Sequence, residues 1–112
     1  MTFRIELGPE AKRDLWGYYQ FASQHSVPDA IRWLERFEAA IGTLSERPER
    51  CSLSRESRRM KVDLRDFLFG RRPNVYRVVF VIEGDLVRVL RICRSQRGTL
   101  GAGEIRRAIA DE

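Results

Sequence analysis

The run VYRVVFVI (residues 75–82), then Glu83-Gly84-Asp85, then LVRVLRIC (residues 86–93) decides the fold. Two apolar, β-branched stretches around a glycine-containing break predict a β-hairpin. With Glu83 and Gly84 as the loop, Ile82 faces Asp85 and the pairs run back as 80/87, 78/89 and 76/91. One face then carries Phe80, Val87, Val78, Val89 and Tyr76, which is the expected core. The other carries Val79 with Arg88, Arg77 with Leu90, and Val75 with Ile92. Aliphatic surface dotted with arginine is more than a water-facing sheet needs, so this second face is expected to be a concave binding surface. A one-residue slip would exchange the two faces.

Upstream of the hairpin, Gly70-Arg71-Arg72-Pro73-Asn74 reads as a turn. Before it, residues 60–69 (MKVDLRDFLF) alternate as a strand, with Val62, Leu64 and Phe67 turned one way. Residues 47–59 (RPERCSLSRESRR) are polar, basic and serine-rich, and read as a loop. Ala30, Leu34, Phe37, Ile41 and Leu44 form a helix seam that opens at Pro28-Asp29 and ends near Ser45-Glu46, with Trp33 and Ala40 widening it. Ala11, Leu15, Tyr18 or Tyr19, and Ala22 mark a preceding helix over about residues 9–24, and Pro9 suits its first turn. The short link between the two makes an antiparallel helical hairpin. Phe3 to Leu7 alternates as an N-terminal strand.

The expected fold is α+β, in the order β-α-α-β-β-β. A helical hairpin packs on one face of a small, mostly antiparallel twisted sheet. Residues 1–100 make the single domain, and residues 101–112 a tail in which Ile105, Ala108 and Ile109 could form one short helix.

The chain has 112 residues, 43% hydrophobic and 33% charged, the composition of a globular domain. No apolar run reaches the ~20 residues of a membrane span, and the first fifteen residues lack the apolar centre of a secretory signal. Two cysteines, Cys51 and Cys93, are too few to staple a secreted mini-protein, so a cytoplasmic protein with reduced thiols is expected. Charge is uneven: residues 1–54 hold 7 basic against 8 acidic side chains, whereas residues 55–112 hold 14 against 8. Nineteen of the 21 basic residues are arginine, the side chain whose planar fork suits phosphate and carboxylate. A polyanion or an acidic protein is the partner this implies.

Candidate chemistry is sparse. His25 is the only histidine and falls between the helices, and neither cysteine has a partner at ligand spacing, so no metal site is expected. Gly101-Ala102-Gly103 lacks the context of a phosphate loop, and no serine sits in a nucleophile elbow. What remains is an arginine set, Arg65, Arg77, Arg88, Arg91, Arg94 and Arg97, with Tyr76 and Lys61. Arg88 and Arg91 are expected to do no more than pair with carboxylates such as Glu83, Asp85 or Asp63.

Leu64-Arg65, the glycine turn, Tyr76-Arg77-Val78-Val79-Phe80, the Glu83-Gly84-Asp85 hairpin, Val87–Ile92, Arg97 and Leu100 together resemble the C-terminal half of the RelE/ParE toxin superfamily. Upstream, Ala11, Asp14-Leu15, Tyr19, Pro28, Ala30 and the stretch from Leu44 to Pro48 resemble the helical hairpin of that superfamily. The resemblance covers about residues 3–100. It implies a toxin of a type II toxin–antitoxin module, causing growth arrest and serving plasmid stabilization, with no cofactor.

Two mechanisms share this fold. RelE-like members cut mRNA on the ribosome; by position, Arg77 and Arg97 match arginines of that chemistry, Lys61 one of its basic strand residues, and Asp63 or Glu56 would have to supply the base. ParE-like members inhibit DNA gyrase and are not nucleases. No Tyr or His follows Tyr76, so the C-terminal acid–base residue of the ribonuclease branch is missing. Arg94 stands where many ParE-like members have His, but Asp14-Leu15 and Trp33-Leu34 resemble the ParE hairpin.

The expectation is therefore a ParE-like, non-enzymatic inhibitor of gyrase. Its expected target-binding residues are Arg65, Tyr76, Arg77, Arg94 and Arg97. A cognate antitoxin is expected to wrap the hairpin at Leu15, Tyr19, Trp33 and Phe37. The alternatives are the ribosome-dependent endoribonuclease and a non-toxic, basic nucleic-acid-binding module.

Overall fold

The structure, a computed structural model, describes residues 2–111. Its elements are β1 (Arg4–Leu7), α1 (Pro9–Ser23), α2 (Val27–Gly42), α3 (Ser57–Met60), β2 (Arg65–Arg71), β3 (Asn74–Glu83), β4 (Leu86–Arg94) and α4 (Ala102–Ala110). The four strands form one sheet in the order β1-β4-β3-β2. β1 runs parallel to β4, and the other pairings are antiparallel. The fold is thus α+β, with the hairpin of helices and the C-terminal helix that the sequence predicts.

Local chemistry explains the hairpin of helices. Pro9 occupies the first turn of α1, and the N–H of Gly8 before it donates to Val89 O at 2.8 Å, pinning the helix start to β4. A Cβ on Gly8 would meet Val89 O at 3.2 Å, a tight contact that a larger residue would relieve only by shifting the strand a few tenths of an ångström. α2 opens on Ser26, whose hydroxyl accepts from the Asp29 N–H at 3.3 Å, and its last turn tightens into a 3-10 turn over Thr43–Ser45. The hairpin buries Ala11, Leu15, Phe37, Ile41 and Leu44 against Val78, Phe80, Val87, Val89 and Ile92 of the sheet.

The β3–β4 hairpin departs from the expected register. Gly84 and Asp85, not Glu83 and Gly84, form the loop, because Glu83 pairs with Leu86 and Ile82 with Val87. That slip of two residues keeps Phe80 opposite a core valine, now Val89. Beyond it the register jumps: Val79 pairs with Arg91, and Leu90 is the extra residue. This bulge inverts the alternation, so Ile92 turns into the helix-covered core although strict alternation places it on the opposite face.

The second face is not an open binding surface. Leu64, Leu100, Ile105 and Ala108 cover Val79, Val81, Leu90 and Cys93 there and form a second core. α4 lies on this face, its first turn held by Glu104, which accepts from the Gly101 N–H at 2.9 Å. The Arg88 guanidinium donates to Ile109 O at 3.0 Å at the other end. α4 therefore packs as a layer on the second face of the sheet.

Three further expectations change. The stretch expected to be a strand from Met60 begins as helix, since α3 ends at Met60 and Lys61 adopts a left-handed conformation (φ 57°). Ser57 explains this: its hydroxyl donates to Val62 O and accepts from the Leu64 N–H, tying the segment into a knot before β2 starts at Arg65. The expected 47–59 loop also contains a 3-10 turn over Pro48–Arg50. At the other end β2 runs on to Arg71, which pairs with Asn74, and leaves only Arg72 and Pro73 as the turn.

Candidate functional site

A groove of about 1490 Å³ opens where the end of α1 and the start of α2 meet the β2–β3 hairpin. Its floor is aromatic. Tyr76 packs edge-on to Tyr18 with ring centres 5.0 Å apart, and lies 5.5 Å from Trp33 and 5.4 Å from Phe37. Phe37 in turn stacks on Phe69 at 4.4 Å, so helices and sheet share one ring cluster. The Tyr18 hydroxyl accepts from the Arg94 N–H at 3.2 Å, and burial pushes its pKa up. Tyr18 is a neutral wall at physiological pH. Phe21, 65% exposed, stands on the rim.

Four arginines line this aromatic floor: Arg13, Arg36, Arg71 and Arg94. Arg94 lies over the Tyr76 ring at 5.5 Å and donates to Asn74 Oδ1 (3.0 Å) and Gln96 Oε1 (3.2 Å). Arg13 is engaged by Glu10 and Asp111. Among the described residues no carboxylate lies within salt-bridge distance of Arg36, Arg71 or Arg94. The groove's own acids are committed: Asp14 accepts from Arg91 Nε (2.7 Å) and Nη2 (3.1 Å) and from the Ile92 N–H (2.9 Å), and Asp29 pairs with Arg32. The result is an apolar trough with an uncompensated positive rim. Such a surface is complementary in charge and polarity to an acidic, amphipathic segment.

The five expected target-binding residues do not converge. Tyr76 and Arg94 share the groove. Arg77 is 2% exposed and donates to both Glu56 oxygens (2.8 and 2.7 Å) and to Asp66 (3.3 Å). Burial works against ionised Glu56, but the Arg77 hydrogen bonds and the Leu100 N–H outweigh it and hold its pKa at about 2. Those Glu56 hydrogen bonds also raise Arg77 further above its ordinary range. Asp66 moves the other way, pushed up mainly by burial. Arg65 is spent on the carbonyls of Glu49 (3.1 Å) and Cys51 (2.6 Å), and Arg97 pairs with Glu104 at 2.6 Å.

Lys61 and Asp63 lie elsewhere, lining a smaller concavity beside α3. Arg88 and Arg91 are both ion-paired, Arg88 with Glu83 as expected and Arg91 with Asp14 and Glu104, which were not the carboxylates expected for it. Of the hairpin residues expected to meet a partner, Leu15 and Phe37 are core (8% and 0% exposed), Trp33 lines the groove, and Tyr19 stacks on exposed Trp16 at 5.3 Å. The sequence reading missed Tyr18, Phe21, Arg36, Phe69 and Arg71 as groove residues. The aromatic spacing Tyr18, Phe21 and Trp33, Phe37 was the available signal, and it reads equally well as core.

Among the described residues, no group of three His, Cys, Asp or Glu side chains could hold a metal ion, and no helix is long and apolar enough to cross a membrane. Residues 5–98 match the family model described as the ParE toxin of the type II toxin–antitoxin system, parDE. A solved structure titled "Chromosomal ParDE TA system from P. aeruginosa" is similar in fold, with a TM-score of 0.65 at 20% identity, covering 83% of this chain and 96% of that one. Among curated proteins, none matches the sequence at a significant level.

Proposed function

The chain belongs to the ParE toxin family of type II toxin–antitoxin systems, and from that premise we propose that it arrests growth by inhibiting DNA gyrase in the cytoplasm. We further propose that an acidic antitoxin segment silences it by seating in the aromatic groove. The observation that carries the antitoxin reading is the groove's make-up: five aromatic side chains beneath Arg36, Arg71 and Arg94, none of which has a carboxylate partner among the described residues. A disordered acidic segment can fold on such a trough, placing apolar side chains on the rings and carboxylates on the rim.

The gyrase reading rests on family membership, and the state of Arg77 supports it over the ribonuclease reading. RNA cleavage would need a free guanidinium at Arg77, whereas Glu56 and Asp66 neutralise it out of solvent. The test is a supercoiling assay with purified chain, DNA gyrase, relaxed plasmid and ATP. Lost supercoiling or trapped cleaved plasmid, both relieved by the cognate antitoxin, is expected. Unimpaired gyrase overturns the target assignment and directs the next assay to ribosome-bound mRNA.

A further inference from the structure

We propose that the α3 segment, Arg55 to Lys61 with its flanks, is a docking surface for the phosphate backbone of duplex DNA. It begins from the charge pattern RESRRMK, which places four cations and one carboxylate in seven residues. The fold removes that carboxylate from the surface, because Glu56 turns inward to Arg77 and the Leu100 N–H. Arg59 stays exposed, with its guanidinium donating to Leu100 O at 2.7 Å. Arg55, Arg58 and Lys61 remain exposed around a concavity of about 620 Å³. Among the described residues none of the three has a carboxylate within salt-bridge distance. Among the described residues, Asp63 is the only acid that lines it.

Two observations make this more than a solvated basic face. First, the segment is rigidly held: Leu64 N–H donates to Ser57 Oγ at 3.1 Å and Ser54 N–H to Leu64 O at 2.7 Å, while Glu56 anchors its underside. Cations on such a frame lose little freedom on meeting phosphates. Second, Ser54 lines the same concavity, is 5% exposed, and its enclosed hydroxyl has no hydrogen-bond partner among the described residues. Among the described residues no aromatic ring lines the concavity, so unstacked bases find no platform and a duplex is favoured over a single strand. Acidic peptides lose their aromatic anchor sites for the same reason. The surface shares no residue with the groove, so it stands independently of the antitoxin reading.

The experiment is fluorescence anisotropy of a labelled, mixed-sequence duplex titrated with the full chain at several salt concentrations. Wild type is expected to bind with an affinity that falls steeply with salt. The triple variant Arg55→Ala/Arg58→Ala/Lys61→Ala should bind at least about tenfold more weakly at low salt, and its log–log salt slope should flatten by about one for each cation removed. The equally discharged Arg36→Ala/Arg71→Ala/Arg94→Ala variant should retain wild-type DNA binding, and Asp63→Asn should tighten it. All these side chains are exposed or half-buried, and circular dichroism checks that each variant is folded. No binding at low salt, equal weakening by both triple variants, or equally effective displacement by polyglutamate each overturns the proposal.

Discussion

The two faces of the sheet use the same strands and are covered by opposite means. The helical hairpin covers one face chiefly with aliphatic and aromatic side chains, centred on Phe37 and Phe80, with Asp14 reaching Arg91 and the Ile92 N–H of β4 at its margin. α4 and the 54–64 segment cover the other, where Val79, Val81, Leu90 and Cys93 alternate with the buried arginines Arg77 and Arg88. Each of those arginines carries its own carboxylate, Glu56 with Asp66 for Arg77 and Glu83 for Arg88. The difference assigns roles. The first face is a hydrophobic core whose edge opens into the groove proposed for the antitoxin, and the second is an ion-paired scaffold whose stability is expected to depend on pH. Arginine in a strand thus marks a binding surface only when nothing in the chain returns to neutralise it.

The largest expected effect strikes the hydrophobic face. Phe37→Ala removes the ring that joins α2 to Phe69 and Tyr76, and should cost about 3–5 kcal/mol in urea denaturation. A cost below about 1 kcal/mol would mean that the first face does not hang on that ring. On the second face, Glu56→Gln leaves Arg77 buried beside a neutral partner and should cost about 3 kcal/mol by the same measurement. The double variant Glu56→Leu/Arg77→Met should recover part of that loss, because it removes both charges together. If the double variant is worse than Glu56→Gln, packing rather than charge governs this face.

Acid should separate the faces next. Glu56 and Glu104 are both held at about 2, below the ordinary 4.5, the latter first by the Gly101 N–H and then by Arg97. A depressed carboxylate stabilises the fold above its ordinary pKa, and that contribution is lost as pH falls from about 4.5 toward 2. Asp66, raised by burial, has the opposite sign and offsets part of the loss as it takes up its proton. A net drop of about 2 kcal/mol between pH 5 and pH 2 is expected, with amides of residues 100–110 exchanging before those of α2. Equal exchange from both faces would remove the distinction. The smallest effect on the fold is expected at the groove rim: Arg94→Ala should shift stability by less than about 1 kcal/mol while weakening antitoxin binding in calorimetry.

The helical hairpin and the β3–β4 pair were legible because both write their burial locally, at spacings of three, four and two. Ala30, Leu34, Phe37, Ile41 and Leu44 read directly as a seam. The bulge at Leu90 was not legible, since one extra residue in a run such as VRVLRIC leaves no trace in composition, yet it turns Ile92 inward. Nor was the cover on the second face, because its partners lie far apart in the chain: Glu56 meets Arg77 and Leu100 across 21 and 44 residues. At Met60–Leu64 the alternation of a strand was real, but the Ser57 hydroxyl overrode it. The groove was half visible: Trp33, Tyr76 and Arg94 were singled out, while Tyr18, Phe69 and Arg71 come together with them only through the crossing of helix and hairpin.

The most direct test of the two-face account is hydrogen exchange on the full chain with and without its cognate antitoxin. The account predicts new protection over residues 17–33 and 69–76 and at Arg94, around the groove, with residues 54–66 and 100–110 unchanged. Protection confined to those latter segments would contradict it and make the ion-paired face the antitoxin's seat.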